Sequence, residues 1–110
     1  MGRIREFAKK IARDFHPFVM ITADGRPWPV DTDRASEIAD RLWDMPGGRD
    51  ASTVIQQAIA VRAYARVNVD DLPFLARAIS EWIDDVGEEA VGQQVLDLRD
   101  AVQADLTRYG

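Results

Sequence analysis

Cysteine is absent from this chain of 110 residues. Without cysteine there is no disulfide framework, no thiolate metal site and no cysteine nucleophile, which excludes the small secreted proteins that disulfides hold together. The chain also lacks an apolar run near the roughly 20 residues that a membrane-spanning helix needs. Because this length is typical of one domain with one core, we expect a single helical domain over residues 1–110. The absence of cysteine favours the reducing cytoplasm as its location.

Motifs that carry chemistry are equally scarce. The chain has no glycine-rich phosphate loop, no G-x-S-x-G and no H-E-x-x-H. Its one histidine, His16, stands beside a proline, and Asp31 and Asp33 are typical of helix capping rather than of metal binding. An enzyme would need a cleft on which these three side chains converge. We therefore expect no catalytic activity, no metal, no cofactor and no small-molecule substrate.

Charge is unevenly distributed along the chain. The formal net charge is −5. The first 16 residues are nevertheless basic, because five cations there outnumber the acidic Glu6 and Asp14. These cations form the basic helix face: Arg3, Arg5, Lys9, Lys10 and Arg13. Since nucleic-acid binding depends on neutralising phosphates, only this segment could bind nucleic acid.

Apolar residues recur at intervals of three and four in five segments, which predicts five amphipathic helices. The segments are residues 3–15, 33–45, 51–67, 72–86 and 88–108. Thr32 or Asp33 is expected to cap the second helix, and Asp50 or Ser52 the third. The third helix has so little polar surface that we expect it at the centre of the fold.

Between the first two helices, residues 18–31 predict a β-hairpin around an Asp24-Gly25 turn. In a register that pairs Met20 with Pro29, the backbone nitrogen of Pro29 points away from the paired strand. The N–H that proline lacks therefore costs the ladder no hydrogen bond. The predicted fold is therefore mostly α: a compact five-helix bundle with one β-hairpin, about residues 18–31, between the first and second helices.

Carboxylates cluster where the fourth predicted helix ends and the fifth begins. This acidic junction consists of Glu81, Asp84, Asp85, Glu88 and Glu89. The helix macrodipole disfavours anions at a helix C-terminus, so another interaction is expected to favour Asp84 and Asp85 there. Three explanations remain open: a partner protein, pairing with the basic helix face, and plain solvation at a small cost in stability.

Two other surfaces are candidates for binding. Trp43 lies to the side of the apolar stripe of its helix, so we expect it to be partly exposed at an interface, whereas Trp28 and Trp82 are expected to pack in the core. The last predicted helix carries a narrow apolar stripe that packs either on its own domain or on a second copy, and a homodimer is slightly favoured. The dimer-interface candidates are Val95, Leu96, Leu98 and Val102.

The chain is therefore predicted to be a non-enzymatic protein–protein interaction module, such as an adaptor, an inhibitor or an immunity-like protein. Its partner-binding residues are expected to be Trp43 and the acidic junction. The alternative is a protein that binds nucleic acid or an anionic membrane surface through the basic helix face. Added salt distinguishes the two, because it weakens phosphate binding steeply and a mainly apolar protein interface much less.

Overall fold

The computed structural model describes most of the chain after the first predicted helix. The described ranges are residues 18–22, 26–61 and 64–109. The predicted helix 3–15 with its basic helix face, His16 and the predicted Asp24-Gly25 turn lie outside the described residues.

Within the described residues the chain forms three strands, five α-helices and one short 3-10 helix. The strands are β1 (Phe18–Thr22), β2 (Trp28–Asp31) and β3 (Tyr64–Arg66). The α-helices are α1 (Thr32–Asp44), α2 (Arg49–Val61), α3 (Leu72–Val86), α4 (Glu88–Val91) and α5 (Gln93–Tyr109). The 3-10 helix, Val69–Asp71, leads directly into α3. The prediction of a small, mostly helical fold is confirmed, and the arrangement of its elements differs in the details that follow.

The three strands form one sheet in the order β2-β1-β3. Strands β1 and β2 pair antiparallel, with Met20 opposite Pro29 and Ile21 opposite Trp28. This is the register that the prolines predict. Because β2 is an edge strand, Pro29 is tolerated in it without the N–H that a central strand would require.

Strand β3 corrects the prediction of one helix over residues 51–67. Helix α2 ends at Val61, and Tyr64–Arg66 instead pairs parallel with β1. Buried Ala65 and Val67 alternate with exposed side chains, and this alternation has the two-residue period of a strand. The same two residues also extend the apolar stripe of a helix, which is why the sequence pattern predicts one. The expected central position of the third helix is also wrong, because α2 exposes one face along its length, from Thr53 through Gln56 and Gln57 to Val61.

Helix α1 buries the predicted apolar stripe but begins one residue early. Its N-cap is Asp31, rather than Thr32 or Asp33, and the Asp31 carboxylate accepts the backbone N–H of Arg34 at 2.9 Å. In α2, Ser52 is fully buried and donates its hydroxyl to the Ala39 carbonyl of α1 at 2.6 Å. Ser52 therefore joins α1 to α2 and does not cap α2.

The core lies between the inner face of the sheet and the helices. Val19, Ile21 and Val30 of the hairpin are buried together with apolar residues from every helix. Trp82 is also buried, as predicted, whereas Trp28 is half-buried and packs against the edge of the core. The hairpin therefore packs on the helices through the face that the alternation predicts.

The predicted continuous helix 88–108 is interrupted at Gly92, which separates α4 from α5. Gly92 has φ +85° and ψ 165°, a backbone conformation that is essentially restricted to glycine. The carbonyl of Val91 accepts the Nε–H of Arg34 from α1 at 2.5 Å. The break therefore packs directly against the start of α1.

Helix α5 packs its apolar stripe on its own domain. Val95, Leu98 and Val102 are buried in the core of the single chain, and Leu96 is half-buried against it. The side chains of the three buried dimer-interface candidates therefore leave little surface for a second copy to contact, and their role at an interface stays a prediction. The homodimer stays a prediction.

We expect Gly92→Ala to lower the free energy of unfolding more than Gly87→Ala, although both glycines have φ near +90°. The backbone strain costs about 1–3 kcal/mol at either position. A Cβ at Gly92 would in addition lie 2.9 Å from the Arg34 guanidinium, whereas at Gly87 it would meet nothing within 4 Å. Urea unfolding of both variants measures the difference, and equal losses would contradict the role of Arg34.

Candidate functional site

Trp43 is the exposed aromatic residue that the sequence singles out, and 43% of it is exposed. The turn after α1 folds back through two backbone hydrogen bonds, Met45 N–H to the Leu42 carbonyl and Gly48 N–H to the Met45 carbonyl. This turn brings Arg49, the first residue of α2, over the Trp43 ring, with the guanidinium carbon 4.5 Å from the ring centroid. At this distance the cation and the aromatic face attract each other.

Three exposed carboxylates lie close in sequence to this stacked pair. Asp40 lies one turn before Trp43 on α1, Asp44 follows it, and Asp50 follows Arg49, and all three are exposed. We refer to Trp43, Arg49 and these three aspartates as the tryptophan patch. The patch is an apolar and cationic centre with an acidic rim.

The acidic junction is also exposed, but arginines already pair with three of its five carboxylates. Arg41 contacts Asp85 at 2.6 Å, Arg77 contacts Glu81 at 3.2 Å, and Arg99 contacts Glu88 at 3.4 Å. The hydrogen bond to Asp85 raises the pKa of the Arg41 guanidinium and outweighs the partial burial that lowers it. An arginine on α1 therefore compensates the anion that the macrodipole disfavours at the end of α3.

These arginines are not among the residues that the sequence pattern predicts for the junction. The Arg77–Glu81 pair follows the i, i+4 spacing of a helix and is visible in the sequence. The other two pairs join residues from different helices, 44 and 11 positions apart. No local pattern predicts them.

Trp43 and the acidic junction lie on different sides of α1. Arg41 points towards α3, where it contacts Asp85. Trp43 follows two residues later, about 200° further around the helix, beyond buried Leu42. Asp44 lies between the two regions, because it lines a groove of about 310 Å³ together with Arg41 and with Glu81 of the acidic junction.

The described residues show no cleft on which Asp31 and Asp33, two of the three side chains that an enzyme would use, converge. The Asp31 carboxylate accepts the Arg34 backbone N–H through Oδ1 and contacts the Arg34 guanidinium through Oδ2 at 2.5 Å. Asp33 is exposed in the first turn of α1, and His16 lies outside the described residues. Among residues 18–22, 26–61 and 64–109, no group of three or more histidine, aspartate or glutamate side chains is arranged to hold a metal ion.

A groove of about 330 Å³ lies between β2 and α5. Trp28 and Ala101 line it together with charged side chains, including Asp97 and Asp100. These two aspartates interact with their own helix: Asp97 accepts the Gln93 amide and Asp100 pairs with Arg99. Their interactions are those of a helix surface rather than of a catalytic pair.

No protein-family model matches the chain, and no curated protein or solved structure matches it. Of the helices in the part of the chain that the structure describes, none is both long and apolar enough to cross a membrane.

Asp71 has an unfavourable environment beside the acidic rim of the tryptophan patch. Partial burial raises its pKa, and the nearby carboxylates of Asp50 and Asp70 raise it further. A carboxyl whose pKa is raised by folding destabilises the fold when it is ionised. This destabilisation is present above the pKa of the folded state and disappears below the ordinary value of the unfolded chain.

We therefore expect Asp71→Asn to raise the melting temperature at pH 7, and the gain to shrink as the pH falls to about 3. The amide retains the shape of the carboxylate, and the Asp71 side chain makes no capping hydrogen bond in α3 that the substitution would remove. Thermal unfolding across this pH range measures the effect. Asp33→Asn, at an exposed carboxylate in the first turn of α1, is the control and should give no such gain. A gain at pH 3 equal to that at pH 7 would show that charge is not the cause.

Proposed function

We propose that the chain is a non-enzymatic protein–protein interaction module, of the adaptor, inhibitor or immunity-like kind, and that its tryptophan patch binds a basic segment of a partner protein. The observation that carries this proposal is the exposed Trp43 ring held beneath the Arg49 guanidinium at 4.5 Å.

Rigidity and residue type support the patch as a binding surface. Tryptophan and arginine are enriched among the few residues that dominate binding energy at interfaces. A side chain that is already held in place loses less conformational entropy when a partner binds. Arg49 stacks on one face of the ring, so an exposed part of Trp43 is presented in a defined orientation.

Charge favours a basic partner. Asp40, Asp44 and Asp50 are exposed and close in sequence to Trp43 or Arg49, and the chain as a whole carries a net charge of −5. Complementary charges speed the encounter of two proteins and suppress wrong partners more than they add affinity. The acidic junction, on the other side of α1, adds to the negative field but is partly neutralised by its arginines.

The contacts of Asp31 support the non-enzymatic part of the proposal. Both of its carboxylate oxygens interact with Arg34, so this side chain has a structural role at the start of α1. The alternative function, binding of nucleic acid or an anionic membrane surface, depends on the basic helix face outside the described residues.

Photo-crosslinking tests the proposal in the cells that produce the chain. A photoreactive residue at exposed Asp40, one helical turn before Trp43, should give a discrete protein adduct. The same residue at exposed Gln103 of α5 is the control and should not give that adduct. Mass spectrometry identifies the captured protein. Capture of nucleic acid, or of the same proteins from both positions, would contradict the proposal.

We expect Trp43→Ala to weaken binding of the identified partner at least tenfold, about 1.4 kcal/mol, with the fold retained. Tyr64→Ala removes an aromatic side chain that is 66% exposed on the sheet, and it should leave the affinity unchanged. Titration calorimetry of the purified proteins measures both. An unchanged affinity for Trp43→Ala would contradict the role of the patch, and so would a salt dependence as steep as that of phosphate binding.

A further inference from the structure

The groove between β2 and α5 has an aromatic side and a side made of one helix face. Trp28 of β2 lines it, and α5 contributes residues three or four positions apart, from Asp97 to Arg108. Ala101 and Ala104 of that face are small, so they leave open a space of about 330 Å³ that larger side chains would fill. This volume lies at the lower end of the range of small-molecule binding sites.

A cation of the chain itself already lies in this groove. Arg26 is exposed, lines the groove, and places its guanidinium carbon 5.9 Å from the centroid of the Trp28 ring. This distance is at the outer limit of cation–π attraction, whereas Arg49 lies 4.5 Å from the Trp43 ring. An exposed arginine at this limit is weakly held. Another cation can therefore replace it at the ring.

Carboxylates of α5 attract cations to the mouth of the groove. The three aspartates that line it are Asp97, Asp100 and Asp105. Asp100 pairs with Arg99, but exposed Asp97 accepts its hydrogen bond from the neutral Gln93 amide at 2.9 Å. That bond leaves the negative charge of Asp97 in place. Asp97 is therefore the carboxylate that we expect to attract a bound cation.

The inner end of the groove is apolar. A recess of about 10 Å³ adjoins it, and Trp28, Ala101 and Asp105 line both spaces. Buried Ile21 and Leu98 also line the recess. A space of this size is about the least that can hold one water molecule, so the core is incompletely filled behind Trp28. The surroundings therefore change from charged at the mouth to apolar at the inner end.

We propose that this groove binds a small organic cation, a primary ammonium ion with a short apolar body. Its charge replaces the Arg26 guanidinium at the Trp28 ring and is attracted by Asp97. Its apolar body points towards the recess, where it leaves water. The groove shares no residue with the tryptophan patch, so this inference does not depend on the proposed function.

Titration of the isotope-labelled full-length chain with phenethylammonium, followed by NMR at the tryptophan indole N–H signals, tests the proposal. The chain has three tryptophans, so Trp43 and Trp82 report on other regions in the same spectrum. The signal that disappears in Trp28→Phe is that of Trp28. We expect this signal to shift in a saturable way, and neutral phenethyl alcohol to bind about tenfold more weakly, because it lacks the charge. An unmoved Trp28 signal, or equal affinity for the alcohol, would overturn the proposal.

Asp97→Asn tests the attraction by the carboxylate. It should weaken binding about threefold, the size of an exposed charge pair, and the asparagine oxygen can still accept the Gln93 amide. Asp84→Asn removes the same charge from an exposed position outside the groove and should leave the affinity unchanged. Equal weakening by both variants would assign the effect to net charge and would contradict a site in the groove.

Arg26→Gln should have the opposite effect. Removal of the cation that occupies the ring should tighten binding about threefold. Arg66→Gln, at an exposed position outside the groove, is the control for the change of charge. Ala104→Leu fills the groove and should weaken binding about tenfold, with the Trp43 and Trp82 signals in place as evidence of an intact fold. Weaker binding by Arg26→Gln, or undiminished binding by Ala104→Leu, would overturn the proposal.

Discussion

Arg34 joins two parts of the chain that are distant in sequence. Its backbone N–H and its guanidinium contact the Asp31 carboxylate, and its Nε–H donates to the Val91 carbonyl, 57 positions further along the chain. The Asp31 backbone N–H in turn donates to the Gln94 side chain at 3.1 Å. The end of β2, the start of α1 and the break between α4 and α5 therefore meet at one polar cluster. Because the cluster holds the first turn of α5 beside β2, it directs Leu98 and Val102 into the core.

The distribution of charge follows from the same packing. Arginines on α1, α3 and α5 pair with carboxylates of the acidic junction, so this cluster partly stabilises the fold. The tryptophan patch differs, because its arginine stacks on an aromatic ring and its three aspartates are exposed. A surface with a rigid aromatic centre and an acidic border fits a basic protein segment better than an acidic cluster already paired with arginine does. This difference is why the proposed function depends on Trp43.

Local patterns predict much of the fold. The hairpin register follows from the positions where proline loses no hydrogen bond, and Met20 does pair with Pro29. The buried face of α1 and the end of α3 at Gly87 follow from helical periodicity and from glycine at the cap. The same patterns fail where two structures share one apolar pattern. Ala65 and Val67 suit a strand or a helix, and pairing of β3 with a distant strand decides between them.

The sequence by itself determined the mostly helical composition, the hairpin and the exposed flank on which Trp43 lies, because each depends on the spacing of residues within one segment. Only the tertiary structure decided the third strand, the break at Gly92 and the arginine partners of the acidic junction. It also decided that Arg41 points towards α3 and Trp43 away from it, and that α5 packs its stripe on its own domain. These features depend on contacts between segments far apart in the chain, and the periodicity of one segment carries no information about which other segment packs against it.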